Sequence, residues 1–432
     1  MIKTHILFEH QAVPFAWNDR HLQALSRLNR LLGCEVLQAT VARGQRVLKA
    51  GSYVGLVRLG GDTFQVLPKI DYGANEAASA TRNLLYLLEM AGNLPIKQHD
   101  VASFLQRGRD WFEILTHLFA KELLRQWQHG PYHHYEVVEE TAVALKGKWR
   151  IAEQLRQPVR QHRFDVAYDE FTPDNTLNRV LRYVVELLWL HTADSDNRRL
   201  LGNLRQWLGD IMLLPVVSPQ MASPTLITRL NRQYEPLLNL ARLFLQSGTL
   251  ELSTGQTTSF AFVFDMNSLF EAFIVGLIEK QRQYILPKAL HDCTLHPQSR
   301  HTTRYLARTE TGQGVFRLKP DLVLRQGSHF PLLLDTKYKR LKGDGLKLGI
   351  AQSDFYQMFA YSQRYQCPHV LLLYPQGERP LRRRFLLPDG QGMISAATVD
   401  LRRDLRGRNG RLALMNELSE ILQREVADDT TN

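Results

Sequence analysis

Cysteine is scarce: Cys34, Cys293 and Cys367 lie far apart in 432 residues, and no two form a C-x-x-C pair. That number and spacing exclude a disulfide framework and a thiolate zinc cluster, and fit a reducing compartment. Long apolar runs are missing as well. The most apolar windows, such as Tyr183 to Leu190, fall far short of a membrane-spanning helix, and the first residues carry no apolar signal core. A cytoplasmic chain with no membrane partner is therefore expected. No G-x-x-x-x-G-K-[ST] loop occurs, so nucleotide hydrolysis by this chain is not expected. His133, His134, His291, His296 and His301 come without H-E-x-x-H or carboxylate-supported spacing, which leaves them as surface or loop histidines.

What is present has globular proportions, with 44% hydrophobic and 22% charged residues, which excludes wholesale disorder. At about 150 residues per domain the length predicts roughly three domains, or two with a large insertion. Lysine and arginine number 54 against 43 acidic residues, a net charge of +11 that favours polyanionic partners.

The hydrophobic period divides the chain in three, as a multidomain α+β protein. Cys34 to Ile70 alternates in short runs broken by Gly44, Gly51, Gly55 and Gly60-Gly61, which predicts a β-rich meander within a domain over 1–78. Asp71 to Ala80 reads as a linker. Helical spacing then dominates a domain over 79–258: Phe112, Leu115, Phe119 and Leu123 share one face, and Leu177, Leu181, Val184 and Leu188 another, after N-cap residues Asp174 and Asn175. Within it, His134 to Arg150 predicts two strands around the Lys146-Gly147-Lys148 turn, a projecting hairpin. From 259 to 432 both periods mix into an α/β domain. Met266, Leu269, Phe270, Phe273, Ile274, Leu277 and Ile278 form a helical stripe, with Ser268 and Glu271 spaced as a capping box, and strands are predicted at Val315 to Leu324, Phe330 to Tyr338 and His369 to Tyr374.

The strongest chemical constellation is Lys319-Pro320-Asp321 followed by Asp335-Thr336-Lys337. Asp335 and Lys337 are two apart on a strand and project to one face, while Gly327-Ser328 would fold the Asp321 run beside it as a hairpin. Two carboxylates at a sheet edge hold a hard divalent cation, Mg²⁺ or Mn²⁺, which keeps waters and accepts phosphate oxygens. A lysine beside them orients water and offsets charge developing on the phosphate. Against this, D-x-K arises about once by chance in a chain of this size, and an Asp and Lys on one face form an ordinary ion pair. The apolar run Pro331 to Leu334 favours the site, because a charged pair ending an interior strand needs a partner or an ion.

These residues resemble the PD-(D/E)xK nuclease superfamily. Further segments resemble McrC, the nuclease subunit of McrBC modification-dependent restriction systems: Arg82-Asn-Leu-Leu-Tyr-Leu-Leu88, Leu145-Lys-Gly-Lys-Trp-Arg-Ile151, Asp174-Asn-Thr-Leu-Asn-Arg179, Ser268-Leu-Phe-Glu-Ala-Phe273 and Ser353-Asp-Phe-Tyr-Gln-Met-Phe-Ala-Tyr361. The resemblance implies a C-terminal PD-(D/E)xK nuclease domain in which Asp321 and Asp335 bind metal and Lys337 is catalytic. Glu271 would be a helix-borne site glutamate, with capping as its alternative, and Gln357 a site glutamine, with a structural hydrogen bond as its alternative. It implies a Mg²⁺-dependent endodeoxyribonuclease acting on modified double-stranded DNA, docked on an McrB-like AAA+ GTPase ring and stimulating it. The other reading is a non-enzymatic activator of that NTPase. From Arg379 to Arg411 nine arginines stand against three aspartates, and Arg382, Arg383 and Arg384 are the expected DNA contacts. Lys146, Lys148 and Arg150, in a second basic run ending at Arg163, are the expected partner-activating residues.

Overall fold

Residues that alternate apolar and polar from Leu37 to Leu67 form four strands, as their period requires, but they divide between two sheets. The computed structural model describes residues 3–59, 62–69, 76–92, 110–156, 162–246, 259–341, 343, 345–388 and 392–426. Its first strands are β1 (Lys3–Phe8), β2 (Ala12–Pro14), β3 (Leu37–Ala42), β4 (Gln45–Ala50), β5 (Tyr53–Leu59) and β6 (Asp62–Leu67). β4 lies between β2 and β3 in one antiparallel sheet. β6 pairs parallel with β1 and antiparallel with β5 in another. Val54, Leu56, Phe64 and Val66 are all fully buried. Gly60, Gly61 and the linker residues 71–75 lie outside the described residues, and a helix, Glu76–Gly92, begins inside the rest of the expected linker.

The chain divides into two units, Phe112–Thr257 and the remainder, Met1–Trp111 with Thr258–Asn432. The first of these is mainly helical. Phe112, Leu115, Phe119 and Leu123 are fully buried along helix Trp111–Gln128, and Asn175 caps helix Thr176–His191 by accepting from the Asn178 N–H. The expected hairpin is a three-stranded sheet of β7 (His134–Ala142), β8 (Lys148–Trp149) and β9 (Phe164–Thr172) with β9 in the centre. β7 pairs with β9 over its whole length, whereas β8 contributes two residues, so the expected β7–β8 pairing gives way to the longer ladder. Gly147, at φ +65°, makes the turn, where an added Cβ would stand 2.4 Å from the Ala167 carbonyl oxygen. Residues 157–161 of the second basic run lie outside the described residues.

The other unit is closed by residues distant in sequence. β10 (Ser259–Asp265) pairs antiparallel with β5, completing the sheet of β1, β6 and β5. Asn83 on helix Glu76–Gly92 donates to the carbonyls of Leu401 (2.9 Å) and Arg403 (2.7 Å) and accepts from the Leu405 N–H. Helix Met266–Lys280 buries its whole predicted stripe. It approaches helix Glu76–Gly92 so closely at Gly276 that a Cβ would lie 2.3 Å from the Met90 carbonyl oxygen. Gly276→Ala is therefore expected to cost about 1–3 kcal/mol through overpacking, read as a lower urea midpoint.

The remaining strands are β11 (Thr294–Pro297), β12 (Arg304–Arg308), β13 (Gly314–Leu318), β14 (Leu322–Gln326), β15 (His329–Thr336), β16 (His369–Pro375), β17 (Arg382–Leu386) and β18 (Met393–Val399). Six form a mixed sheet in the order β11-β14-β15-β16-β18-β17. β15, β16 and β18 are mutually parallel, with helix Gln352–Tyr365 as the crossover between β15 and β16. β12 and β13 form a separate ribbon. The expected strand Val315 to Leu324 is thus two strands in different sheets, split at Lys319–Asp321, where Pro320 interrupts a ladder.

These contacts correct the expected domain plan. The boundary at 78 falls within one unit, and the stretch from 259 is not a discrete PD-(D/E)xK nuclease domain, because its first strand completes the N-terminal sheet and it shares a unit with residues 1–111. The multidomain plan with a separate small N-terminal β-rich domain is corrected on the same ground: long-range strand pairing joins its two ends.

Candidate carboxylate site

The β14–β15 hairpin turns at Gly327–Ser328 and pairs Leu322 with Leu334. Continuing that register by one residue sets Asp321 opposite Asp335. Strand alternation puts Leu333 and Asp335 on one face, and Leu333 packs with Met358 and Tyr361 of helix Gln352–Tyr365 and with Val370 and Leu372 of β16. A core this apolar fixes the strand and leaves the carboxylate at its end almost without solvent, 1% exposed against 8% for Asp321.

Asp321 Oδ2 accepts from the Thr336 N–H at 2.7 Å and the Thr336 hydroxyl at 2.8 Å. Lys337 Nζ lies 2.6 Å from Asp335 Oδ2, an ion pair that works against the rise of the Asp335 carboxyl. Burial first, then Asp335 and Glu271, push the Asp321 carboxyl well above its ordinary range. Burial raises Asp335 as well; Lys337 opposes the rise, and Glu271 and Asp354 add to it. For Lys337, burial works against the ammonium, but Asp335, Asp321 and Asp354 raise its pKa on balance and keep it charged.

The charges do not balance when both acids are ionised: two carboxylates then share a buried space with one ammonium. A divalent cation fits that deficit. Asp321 and Asp335 are the residues that would hold it, with the other positions left to water or substrate oxygens. Among the described residues no cluster of three metal-ligating side chains converges, so the candidate is a pair.

Glu271 stands beside the pair without closing it. The helix that carries it is capped by Asp265, whose carboxylate accepts from the N–H groups of Asn267 and Ser268 at 3.2 Å each. The expected Ser268–Glu271 capping box is therefore displaced by one turn, and Glu271 has no capping task. Its Oε1 instead accepts from Gln298 Nε2 at 3.1 Å. Glu271, Glu279, Gln298, Arg300 and Asp321 line a groove of about 380 Å³. Gln357 is one step removed, donating at 2.7 Å to the hydroxyl of buried Tyr361. Burial raises the Tyr361 phenol, and the Asp335 and Asp321 charges add to the rise.

Three participants were not singled out from sequence. Thr336 holds Asp321 with two donors although it is the unspecified middle residue of D-x-K. Asp354, three residues before Gln357 and so on the same helix face, adds negative charge at Asp335 and Lys337 and pairs with Lys339. Gln298 has no sequence signal.

The expected DNA contacts lie on β17, the edge strand antiparallel to β18. Alternation sends Arg383 to the face opposite Arg382 and Arg384, so the three form no single cationic cluster. Arg383 donates to the carbonyls of Gly345 and Leu346 at 2.8 Å, and Arg384 to that of Arg424. The expected activating residues are also engaged. Lys146 pairs with Glu140 at 2.6 Å and stands 3.9 Å over the Tyr168 ring, while Arg150 pairs with Glu139 and Glu153. Lys148 is exposed on β8, opposite Ala167.

A family model described as "McrBC 5-methylcytosine restriction system component" matches residues 48–375. The chain belongs to that family. No curated protein matches it. Two solved structures from Thermococcus gammatolerans are similar. One, described as a refined half-complex from a tetradecameric assembly of McrB AAA+ hexamers with bound McrC, has a TM-score of 0.64 and 23% identity over 97% of this chain and 100% of that chain. The other, described as the McrBC complex, has a TM-score of 0.50 and 26% identity over 65% of this chain and 88% of that chain. At these identities the first likeness is one of fold.

The comparisons correct the sequence reading at the level of the subunit. The McrBC family description names a system component, and the structures are described by McrB AAA+ hexamers with bound McrC or by the McrBC complex; none names a separate nuclease subunit as the matching chain. The expected McrC identity, the PD-(D/E)xK endodeoxyribonuclease activity, and the partnership with double-stranded DNA and an McrB-like GTPase ring are corrected to membership of the McrBC family. The alternative of a non-enzymatic activator of that ring falls with them. Among the described residues no helix is long and apolar enough to cross a membrane.

Proposed function

We propose that Asp321, Asp335 and Lys337 form a divalent-cation site for hydrolysis at phosphorus within a 5-methylcytosine restriction system. The observation that supports it is the buried carboxylate pair at the end of β15 with the Lys337 ammonium 2.6 Å from Asp335. Asp321 and Asp335 would hold Mg²⁺ or Mn²⁺, and Thr336 fixes the orientation of Asp321. When bound, the cation supplies Lewis-acid polarisation of a phosphoryl oxygen. Lys337 orients the attacking water and offsets negative charge as it grows on the phosphoryl group. The sequence has no glycine-rich phosphate loop, so the phosphate would be met by side chains rather than by a cradle of backbone N–H groups.

The test presents the full chain, in Mg²⁺ or Mn²⁺, with nucleoside triphosphates and with polynucleotides carrying cytosine or 5-methylcytosine. Lys337→Ala keeps both carboxylates and is expected to fold while losing roughly a hundredfold or more of the hydrolysis. Equal turnover by Lys337→Ala and the unaltered chain on every substrate would remove Lys337 from the chemistry.

A further inference from the structure

A second cleft, of about 430 Å³, opens beside the carboxylate site and is lined in part by Glu9, His10, Lys69, Tyr338, Lys339 and Arg340. Pro375 and Gln376 also line it, so it lies at the carboxyl ends of β15 and β16. In sheets with parallel strands that edge is where ligands bind, because the loops there diverge and the backbone of the strands is already satisfied.

Two features of the cleft are opposed in charge. Lys69, Lys339 and Arg340 are exposed on its wall, with Lys339 paired to Asp354 and Arg340 donating to the Lys69 carbonyl. Glu9 is 1% exposed. Its Oε2 accepts from the Tyr338 hydroxyl at 2.9 Å and the Lys69 N–H at 3.0 Å, and its Oε1 has no hydrogen-bond partner among the described residues. Burial pushes this carboxyl up to about 7, against the two donors on Oε2. A buried acceptor left open is costly unless a ligand satisfies it.

A bare anion would suit Lys69 and Arg340 but be repelled by Glu9. A simple cation would have the reverse difficulty. The ligand that meets both carries phosphate at one end and an N–H donor at the other, and the volume is that of a small-molecule pocket. We infer that this cleft binds one nucleotide unit whose base bears an amino group, with the phosphate toward Lys69 and Arg340 and the amino group toward Glu9. The role of the cleft as a substrate subsite rests on the proposed phosphoryl chemistry, but its occupancy does not, and the two are tested separately.

Calorimetric titration of the full chain in EDTA with dCMP and with dUMP compares ligands that differ by an amino group against a carbonyl. The unaltered protein is expected to bind dCMP about tenfold more tightly than dUMP, the scale of one satisfied polar contact. Glu9→Gln should reduce that preference below threefold, whereas Lys69→Ala should weaken both ligands alike. Tyr338→Phe, which keeps the ring and removes one donor to Glu9, should also reduce the preference, and it carries the test if Glu9→Gln does not fold. Absence of binding, no preference for dCMP, or a preference untouched in the folded variants would overturn the inference. Asp335→Asn should leave nucleotide binding unchanged. Loss of binding in that variant would put the nucleotide on the carboxylate site, overturning the cleft assignment but leaving the phosphoryl reading intact.

Discussion

Asp335→Asn is expected to abolish metal-dependent hydrolysis and, in the same protein, to make the metal-free fold harder to unfold at neutral pH. The two effects have one origin. Asp335 and Asp321 are buried acids whose pKa values are both raised by burial and by negative neighbours. A raised acid pKa means that the charged form is less favourable in the folded chain than in the unfolded one. Asparagine keeps the shape, removes one charge, and leaves Lys337 to interact with Asp321. A gain of about 1–3 kcal/mol is expected in EDTA at pH 7.5, because the Asp335 carboxyl is raised in the folded chain and its charge is a net cost there despite Lys337. The same change removes an anionic ligand, and hydrolysis should fall by roughly two to four orders of magnitude. A urea midpoint in EDTA below that of the unaltered protein would show that the Asp335 charge is already satisfied within the chain, and the motive for a cation would disappear.

The second large effect is a reversal of pH dependence by metal. In EDTA the folded chain binds more protons at Asp321 and Asp335 than the unfolded chain between the ordinary carboxyl pKa of 3.8 and the raised folded values. The stability from these groups is therefore present at low pH and lost as pH rises through that window. Saturating Mn²⁺ should oppose the loss, because it binds the deprotonated pair. At a hundred times its dissociation constant a ligand that binds only the folded state adds about 2.7 kcal/mol. Thermal unfolding with and without Mn²⁺ should separate widely at pH 7.5 and only slightly at pH 5, where protons compete for the carboxylates. Asp321→Asn should show little separation at either pH. Equal Mn²⁺ stabilisation of the Asp321→Asn variant would place the ion away from this pair.

The carboxylate pair was legible in the sequence because every step toward it is local. A two-residue turn at Gly327–Ser328 and a period of two are enough to bring Asp321 opposite Asp335 and to set Lys337 beside it. The strand over Arg382–Leu386 was not read from the sequence, and its alternation is what sets Arg383 apart from Arg382 and Arg384. The joining of the chain's two ends was not legible. β5 meets β10 only after the unit Phe112–Thr257 has intervened, and nothing in the Tyr53–Leu59 run specifies which distant strand its open edge will take. The capping of Glu271's helix was misplaced for a smaller reason. Asp265 and Ser268 are both good capping residues three positions apart, and the pairing of β10 through Asp265 with Tyr53 decides in favour of the first. Glu9 shows the same limit in reverse: a single glutamate near the N-terminus acquires its position only when β1 pairs with β6 and Tyr338 arrives from the end of β15.

Whether Asp321 and Asp335 together hold a divalent cation is decided by locating the ion. Crystals of the full chain soaked in Mn²⁺ should give one anomalous peak with a carboxylate oxygen of each aspartate at roughly 2.0–2.3 Å, and with water or substrate oxygens completing the shell. Lys337 should then stand beside the ion with its ammonium moved off Asp335 Oδ2. The contradicting result is an empty pair at saturating Mn²⁺ with the Lys337–Asp335 contact retained at 2.6 Å.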